Sequence, residues 1–155
     1  MLKKAIKYII YTLFVGMVII QFISRPEKMA EPIDLNKDML SVLSVTGELN
    51  TLFKTACYDC HSNQPIYPWY SNIAPVSWWI NDHMVEGRDE LNFSEWGAYS
   101  KRRRDHKLEE MVEELEAKKM PLPSYRRVHW DAKLNTEQIS MVKKWASLER
   151  EKIAQ

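Results

Sequence analysis

The sequence predicts an all-α domain preceded by one membrane-spanning helix, and three observations carry that prediction. Apolar residues recur at helical spacing within 37–56, within 104–119 and again from 135 onward. No run alternates apolar and polar residues with the period of two that marks a half-buried strand. The amino terminus, MLKKAIKYIIYTLFVGMVIIQFISRPEK, holds an uncharged run from Tyr8 to Ile23. A length of 155 residues suits one domain plus an attachment segment. Only four glycines and no repeated or Ser/Gly-rich tract argue against a repeat or disordered chain.

The first element is the apolar run. As a helix, residues 5–24 rise about 30 Å, enough to cross a bilayer, and Lys7 can extend to the headgroups. A cleaved signal peptide is the alternative, but Phe22, Ile23, Ser24 and Arg25 fit a small-residue cleavage site poorly. Residues 1–24 are therefore read as a signal anchor. Lys3, Lys4 and Lys7 precede the run while none of the 21 acids does, so the amino terminus stays in the cytoplasm and the rest is exported. The exported part is slightly acidic, and nothing in it suggests nucleic acid.

Residues 25–36, RPEKMAEPIDLN, read as a polar linker, and 37–155 as the domain. Met39, Leu40, Leu43, Leu49, Leu52 and Phe53 predict one broken or two short amphipathic helices with the break near Gly47. Pro65, Pro68 and Pro75 forbid a continuous helix before Val76, so 62–75 reads as an aromatic-walled loop. A short helix through Trp78, Trp79 and Ile80 follows, then an irregular piece, EGRDELNFSEWGAYS. Leu108, Met111, Val112 and Leu115 make an i, i+3, i+4, i+7 stripe on a helix over 104–119, which Pro121 and Pro123 stop. The last helix starts at Asn135, with Gln138 at the capping-box position and Leu134 placed to staple onto Ile139. Its buried face is Ile139, Val142, Trp145 and Ala146.

Both cysteines lie in ACYDCHSNQPIYPWY, residues 56–70, three apart and followed at once by a histidine. A disulfide redox pair belongs with a βαβ pattern, which is missing. Zinc needs four ligands, and His83, His106 and His129 are scattered without ligand spacing. Haem accounts for the whole motif: thiols at i and i+3 reach two vinyl groups, and the adjacent imidazole faces the iron. Cys57 and Cys60 are thus the expected covalent haem attachments and His61 the proximal iron ligand. Bacteria make this attachment outside the cytoplasm, in agreement with the exported topology.

LFKTACYDCHS resembles the end of the first helix and the haem-attachment motif of small single-haem cytochromes c. More narrowly, CYDCHSN, YPWYSNIAPVSWW, LNFSEW, MPLPSY and the closing helix with Trp145 resemble a family of small bacterial membrane-anchored proteins, the haem-binding domain proteins. The resemblance covers roughly residues 40–148. It implies one covalent haem c and a cytochrome-c-like helical fold around it, and it supplies neither a partner nor a reaction.

A methionine is the expected sixth ligand of an electron-carrying cytochrome c. Of eight methionines, Met120 stands apart, because KKMPLPSY leaves a helix in an extended, proline-flanked loop ahead of the last helix. Small cytochromes c present their ligand methionine from such a loop. Met120 is the expected distal ligand, with His83, His106 or His129 as alternatives. Tyr67, Trp69, Tyr70, Trp78 and Trp79 are candidates to cover the porphyrin, or ordinary core. Arg88 and Lys101–Arg104 could meet propionates or an acidic partner, although a solvated helix start is the better reading of KRRR. Tyr125, Arg126 or Trp96 could bond a propionate.

No nucleophile–base pair, phosphate-cradling loop or carboxylate dyad is legible, so no enzyme activity is expected. The expected function is a single-pass, membrane-anchored monohaem cytochrome passing single electrons to redox protein partners on the periplasmic side of the bacterial inner membrane. A haem-based sensor or peroxidase-like protein with an open sixth position is the alternative, and a zinc module ranks third.

Overall fold

The computed structural model describes residues 2–23, 25–45 and 47–155; Ser24, where the anchor reading ends, and Met1 lie outside them. Among the described residues there is no strand, and eight α-helices follow in order. They are α1 (Leu2–Ile19), α2 (Met39–Val42), α3 (Gly47–Ala56), α4 (Tyr58–His61), α5 (Val76–Glu90), α6 (Lys101–Glu116), α7 (Tyr125–Val128) and α8 (Thr136–Ala154). Short 3-10 turns at Ile20–Phe22, Trp69–Asn72, Phe93–Ala98 and Trp130–Ala132 complete the chain.

Helix α1 and its 3-10 extension form one 21-residue apolar stretch with none of it buried, long enough to cross a membrane. Its end is tied to the domain. The Gln21 side chain donates to Ala74 O (2.9 Å) and accepts from Ala74 N (3.0 Å). The polar segment that follows is strapped along the domain rather than hanging free. Met29 N donates to Tyr67 Oη (2.8 Å), Arg88 donates to Met29 O (2.7 Å), and Glu31 N donates to Asn63 O (2.9 Å).

The expected break near Gly47 is present, with that residue at φ +64°, a conformation glycine adopts without a Cβ penalty. Asp38 caps α2, accepting from Ser41 N (3.3 Å), and also receives the Tyr58 hydroxyl (3.0 Å) in the interior. Around that bond the core assembles. Phe53 meets Phe93 and Trp145 edge to face at 5.8 and 5.1 Å, and Tyr58 stacks on Phe93 at 5.2 Å. The Phe93–Ala98 turn lies so close to the chain ahead of α2 that a Cβ on Gly97 would come within 2.5 Å of Asn36 O.

Helix α6 begins at Lys101, three residues earlier than its apolar stripe suggests. Ser100 caps it, and Arg104 turns back to donate to the carbonyls of Trp96 and Gly97 (3.1 and 2.7 Å). Leu108 and Leu115 are buried, and Met111 and Val112 flank them against α8. The capping box of α8 is complete: Gln138 N donates to Asn135 Oδ1 (2.8 Å) and Asn135 N donates to Gln138 Oε1 (3.0 Å). Val142 and Ala146 are fully buried beneath it, with Ile139 and Trp145 packed beside them.

The largest departure from the sequence reading is α5. The expected helix around Trp78–Ile80 continues to Glu90, so the first five residues of the supposed irregular piece, EGRDE, are helical. An interior glycine such as Gly87 costs a helix about 1 kcal/mol relative to alanine, which by itself is an argument against this helix. Packing reverses that argument, because the missing side chain lets α5 close on the cysteine turn.

Phe53 is fully buried at the centre of this ring cluster. Phe53→Ala is expected to cost about 3–5 kcal/mol in a denaturant titration, the usual range for emptying a buried phenylalanine site. A loss below about 1 kcal/mol is incompatible with this core.

Candidate functional site

The cysteine motif folds as a single helical turn continuing α3. Cys57 N donates to Phe53 O (3.0 Å), and Cys57 O accepts from Cys60 N (3.2 Å) and His61 N (2.9 Å). Both thiols are free. Burial, with Cys60 close by, pushes the Cys57 thiol up to about 12. Burial and the Asp59 carboxylate push Cys60 up to about 11, against a smaller opposite pull from Arg88. Both sulfurs are therefore protonated at neutral pH, the reverse of the low-pKa thiolate that thiol–disulfide exchange chemistry needs.

His61 is held by the end of α5. Its Nδ1 lies 2.8 Å from Gly87 O and 2.9 Å from Leu91 O. A carbonyl only accepts, so Nδ1 carries the proton and Nε2 keeps a free lone pair. Burial lowers the pKa of the imidazole more than the two carbonyls raise it, which keeps the ring neutral. Gly87 eases the close approach, since a Cβ there would sit 3.1 Å from Cys60 O, tighter than an ordinary contact. The irregular reading of 86–100 hid these two carbonyls, and a backbone oxygen leaves no residue-type signal. The glycine was the one visible clue.

A cleft of about 350 Å³ opens at this turn. Cys57, His61 and Met120 all line it, with Leu91, Phe93, Met111, Leu115 and Pro121 as apolar walls. Met120 is placed there by the end of α6: Lys118 turns left-handed (φ +57°), and the amides of Lys119 and Met120 both donate to Glu114 O (3.0 and 3.2 Å). Lys107, with its side chain only 13% exposed, is the cation of the cleft and lies 2.6 Å from Glu110 and 3.5 Å from Glu90. It went unremarked in the sequence because α6 carries many charges.

Cys60 lines a second, smaller hollow of about 70 Å³ with Asp59, Tyr67, Tyr70, Trp79, His83, Tyr125 and His129. Three of the four predicted site residues thus share the larger cleft, and the fourth sits on the neighbouring side of the same turn. None of the alternative histidines lines the larger cleft. His83 and His129 belong to the second hollow, where His129 Nε2 lies 2.6 Å from Tyr70 Oη, and His106 pairs with Glu110 at 3.2 Å on the outside of α6.

The aromatic segment also builds the second hollow rather than the larger cleft. Tyr67, Tyr70 and Trp79 line it and Trp69 is exposed. Nor do the expected propionate partners line the larger cleft. Arg88 and Arg104 serve backbone carbonyls, Tyr125 donates to Asp59 (2.7 Å), Arg126 donates to Lys118 O (3.2 Å), and Trp96 is buried in the core. Among the described residues no three His, Cys, Asp or Glu side chains group as a metal cage. The zinc reading gains no support.

A neutral imidazole with a free nitrogen and a methionine on one cleft with apolar walls are ligands suited to haem iron, and an unpaired thiol stands beside them. The haem-binding domain family matches residues 15–148, and the chain belongs to that family. Among curated proteins and solved structures, none matches the chain. The protein is a helical haem-binding protein.

Gly87→Ala is expected to lower the denaturation midpoint despite the better helix propensity of alanine, because the new methyl meets a backbone oxygen. A raised midpoint contradicts the close approach. A pH dependence follows from His61. The unfolded chain binds a proton near the ordinary value of 6.5 while the folded chain does not. The stability of haem-free protein should therefore be full above about pH 6.5 and fall below it. His61→Phe should flatten that slope in parallel denaturant titrations, and an unchanged slope removes His61 as its source.

Proposed function

We propose that the protein is a monohaem c-type cytochrome, tethered by α1 to the bacterial inner membrane with its haem domain in the periplasm, and that it passes single electrons between redox protein partners. The observation that carries this reading is the double carbonyl anchor on His61 Nδ1. It holds the tautomer and orientation that an iron-ligating histidine needs, on the same cleft as Met120.

The roles follow from the chemistry of each side chain. Cys57 and Cys60 would hold the haem covalently, the S–H of each thiol adding across one vinyl group to leave a thioether. His61 Nε2 and the Met120 thioether would be the two iron ligands, a pair that favours a higher potential than two histidines. Bound haem supplies the one-electron couple. Leu91, Phe93, Leu115 and Pro121 would exclude water from the bound group, and Lys107 is the cleft cation that a propionate would meet. The tether confines the domain near membrane-bound redox complexes, raising their effective concentration.

Spectra of protein made with a cytochrome c maturation system test each step. The reduced protein should show a c-type haemochrome, and Cys57→Ala/Cys60→Ala protein should carry no covalent haem. The oxidised protein should show the weak far-red charge-transfer band of methionine ligation, lost in Met120→Ala. Absence of that band in the wild type, or ready binding of carbon monoxide, would instead mean an open or differently filled sixth position, as in a sensor or peroxidase-like protein.

A further inference from the structure

An exposed apolar face lies where α1 joins the domain. Ile66 and Trp69 are 78% and 76% exposed, and Trp130 is 82% exposed. Val76, Trp79 and Val128 are also exposed, and Trp79 lies one turn after Val76 on α5. These residues come from three separate segments, and the second hollow gathers them. Ile66, Trp79 and Val128 line it, Trp69 packs edge to face on Tyr70 in its wall (5.8 Å), and Trp130 follows His129 at its edge. A soluble domain rarely leaves several large apolar side chains together in water without a use for them.

What covers this face is indicated by the end of α1. Gln21 holds both backbone groups of Ala74, two residues before Val76, so the apolar helix is pinned beside the face. Phe22 and Ile23, at the same junction, are exposed as well. The strap from Met29 to Glu31 holds the following segment against the domain, leaving little slack to carry the face away from the helix end. Arg25 and Lys28 are exposed at this exit, where cations suit lipid phosphates. Tryptophan itself favours the interface, where its ring is buried and its N–H stays wet.

We infer that Ile66, Trp69, Val76, Trp79, Val128 and Trp130 form a membrane-docking face that lays the domain on the bilayer surface beside its own anchor. The inference rests on the reading that α1 crosses the membrane. Docking fixes the orientation of the domain, so the larger cleft meets partners at a set angle to the membrane and not at the end of a free tether.

Site-specific photocrosslinking of the full chain in phosphatidylcholine/phosphatidylglycerol vesicles tests it. p-Benzoylphenylalanine replaces Trp69, Trp130, Phe14 or Lys144 in separate variants, and mass spectrometry reads the adducts. Phe14 reports the anchor, and Lys144 is an exposed position on α8, which packs on α6 and α3. Lipid adducts are expected at 69, 130 and 14 and not at 144. Adducts at 14 without any at 69 and 130 overturn the docking face and leave the anchor standing. No adduct at 14 overturns the anchor and the inference with it. Adducts to a protein at 69 and 130, or lipid adducts equally strong at 144, also overturn the face. Trp69 and Trp130 lie on different segments, so a folding defect in one variant leaves the other readable.

Discussion

The bond between the His61 ring and the carboxyl end of α5 is the constraint on which the site depends. The last carbonyls of a helix have no partner within it, and a buried one must find a donor elsewhere. Leu91 O, just past the helix, finds its donor in the imidazole N–H, which it shares with Gly87 O, already the acceptor of Leu91 N (2.9 Å). One proton thus satisfies a helix end, sets a tautomer and aims the opposite nitrogen. A ring held by one flexible side chain would have none of that direction.

The rest of the fold serves this contact. Gly87 brings α5 against Cys60, Gly97 brings the Phe93–Ala98 turn against the chain ahead of α2, and Phe93 then reaches both Tyr58 and Phe53. The Tyr58–Asp38 bond locks the cysteine turn to α2 from beneath. The packing of α6 on α8 places the far wall of the cleft, and the left-handed turn after α6 delivers Met120 to it. Surface pairs such as Arg150 with Asp105 (2.7 Å) run between these two helices, but exposed ion pairs contribute little beside the apolar stripe.

The polarity of the cleft is uneven. Its walls are apolar, while Glu90, Glu110, Glu113 and Glu114 also line it, and the first two hold one buried-stem lysine, Lys107. Hydrogen bonding to Lys107 holds the Glu110 carboxyl below the usual carboxylate range, so that part of the cleft stays charged at any physiological pH. A group bound there meets a dry interior and an ionic margin, the two conditions that set the behaviour of a redox cofactor.

Much of this was legible in the chain. The helical class, the breaks at Gly47 and Pro121, the capping box at Asn135 and the faces of α6 and α8 follow from local spacing and cap chemistry. The cysteine motif and the proline-flanked Met120 could be singled out because their residue types carry the chemistry themselves. What sequence spacing could not supply was everything carried by backbone or by long-range approach. The full length of α5, the carbonyls on His61, the division of the aromatic segment from the larger cleft, the position of Lys107 and the strap that follows α1 were all decided in three dimensions. A side chain announces its chemistry in the sequence; a carbonyl oxygen is the same in every residue, and only folding determines what it faces.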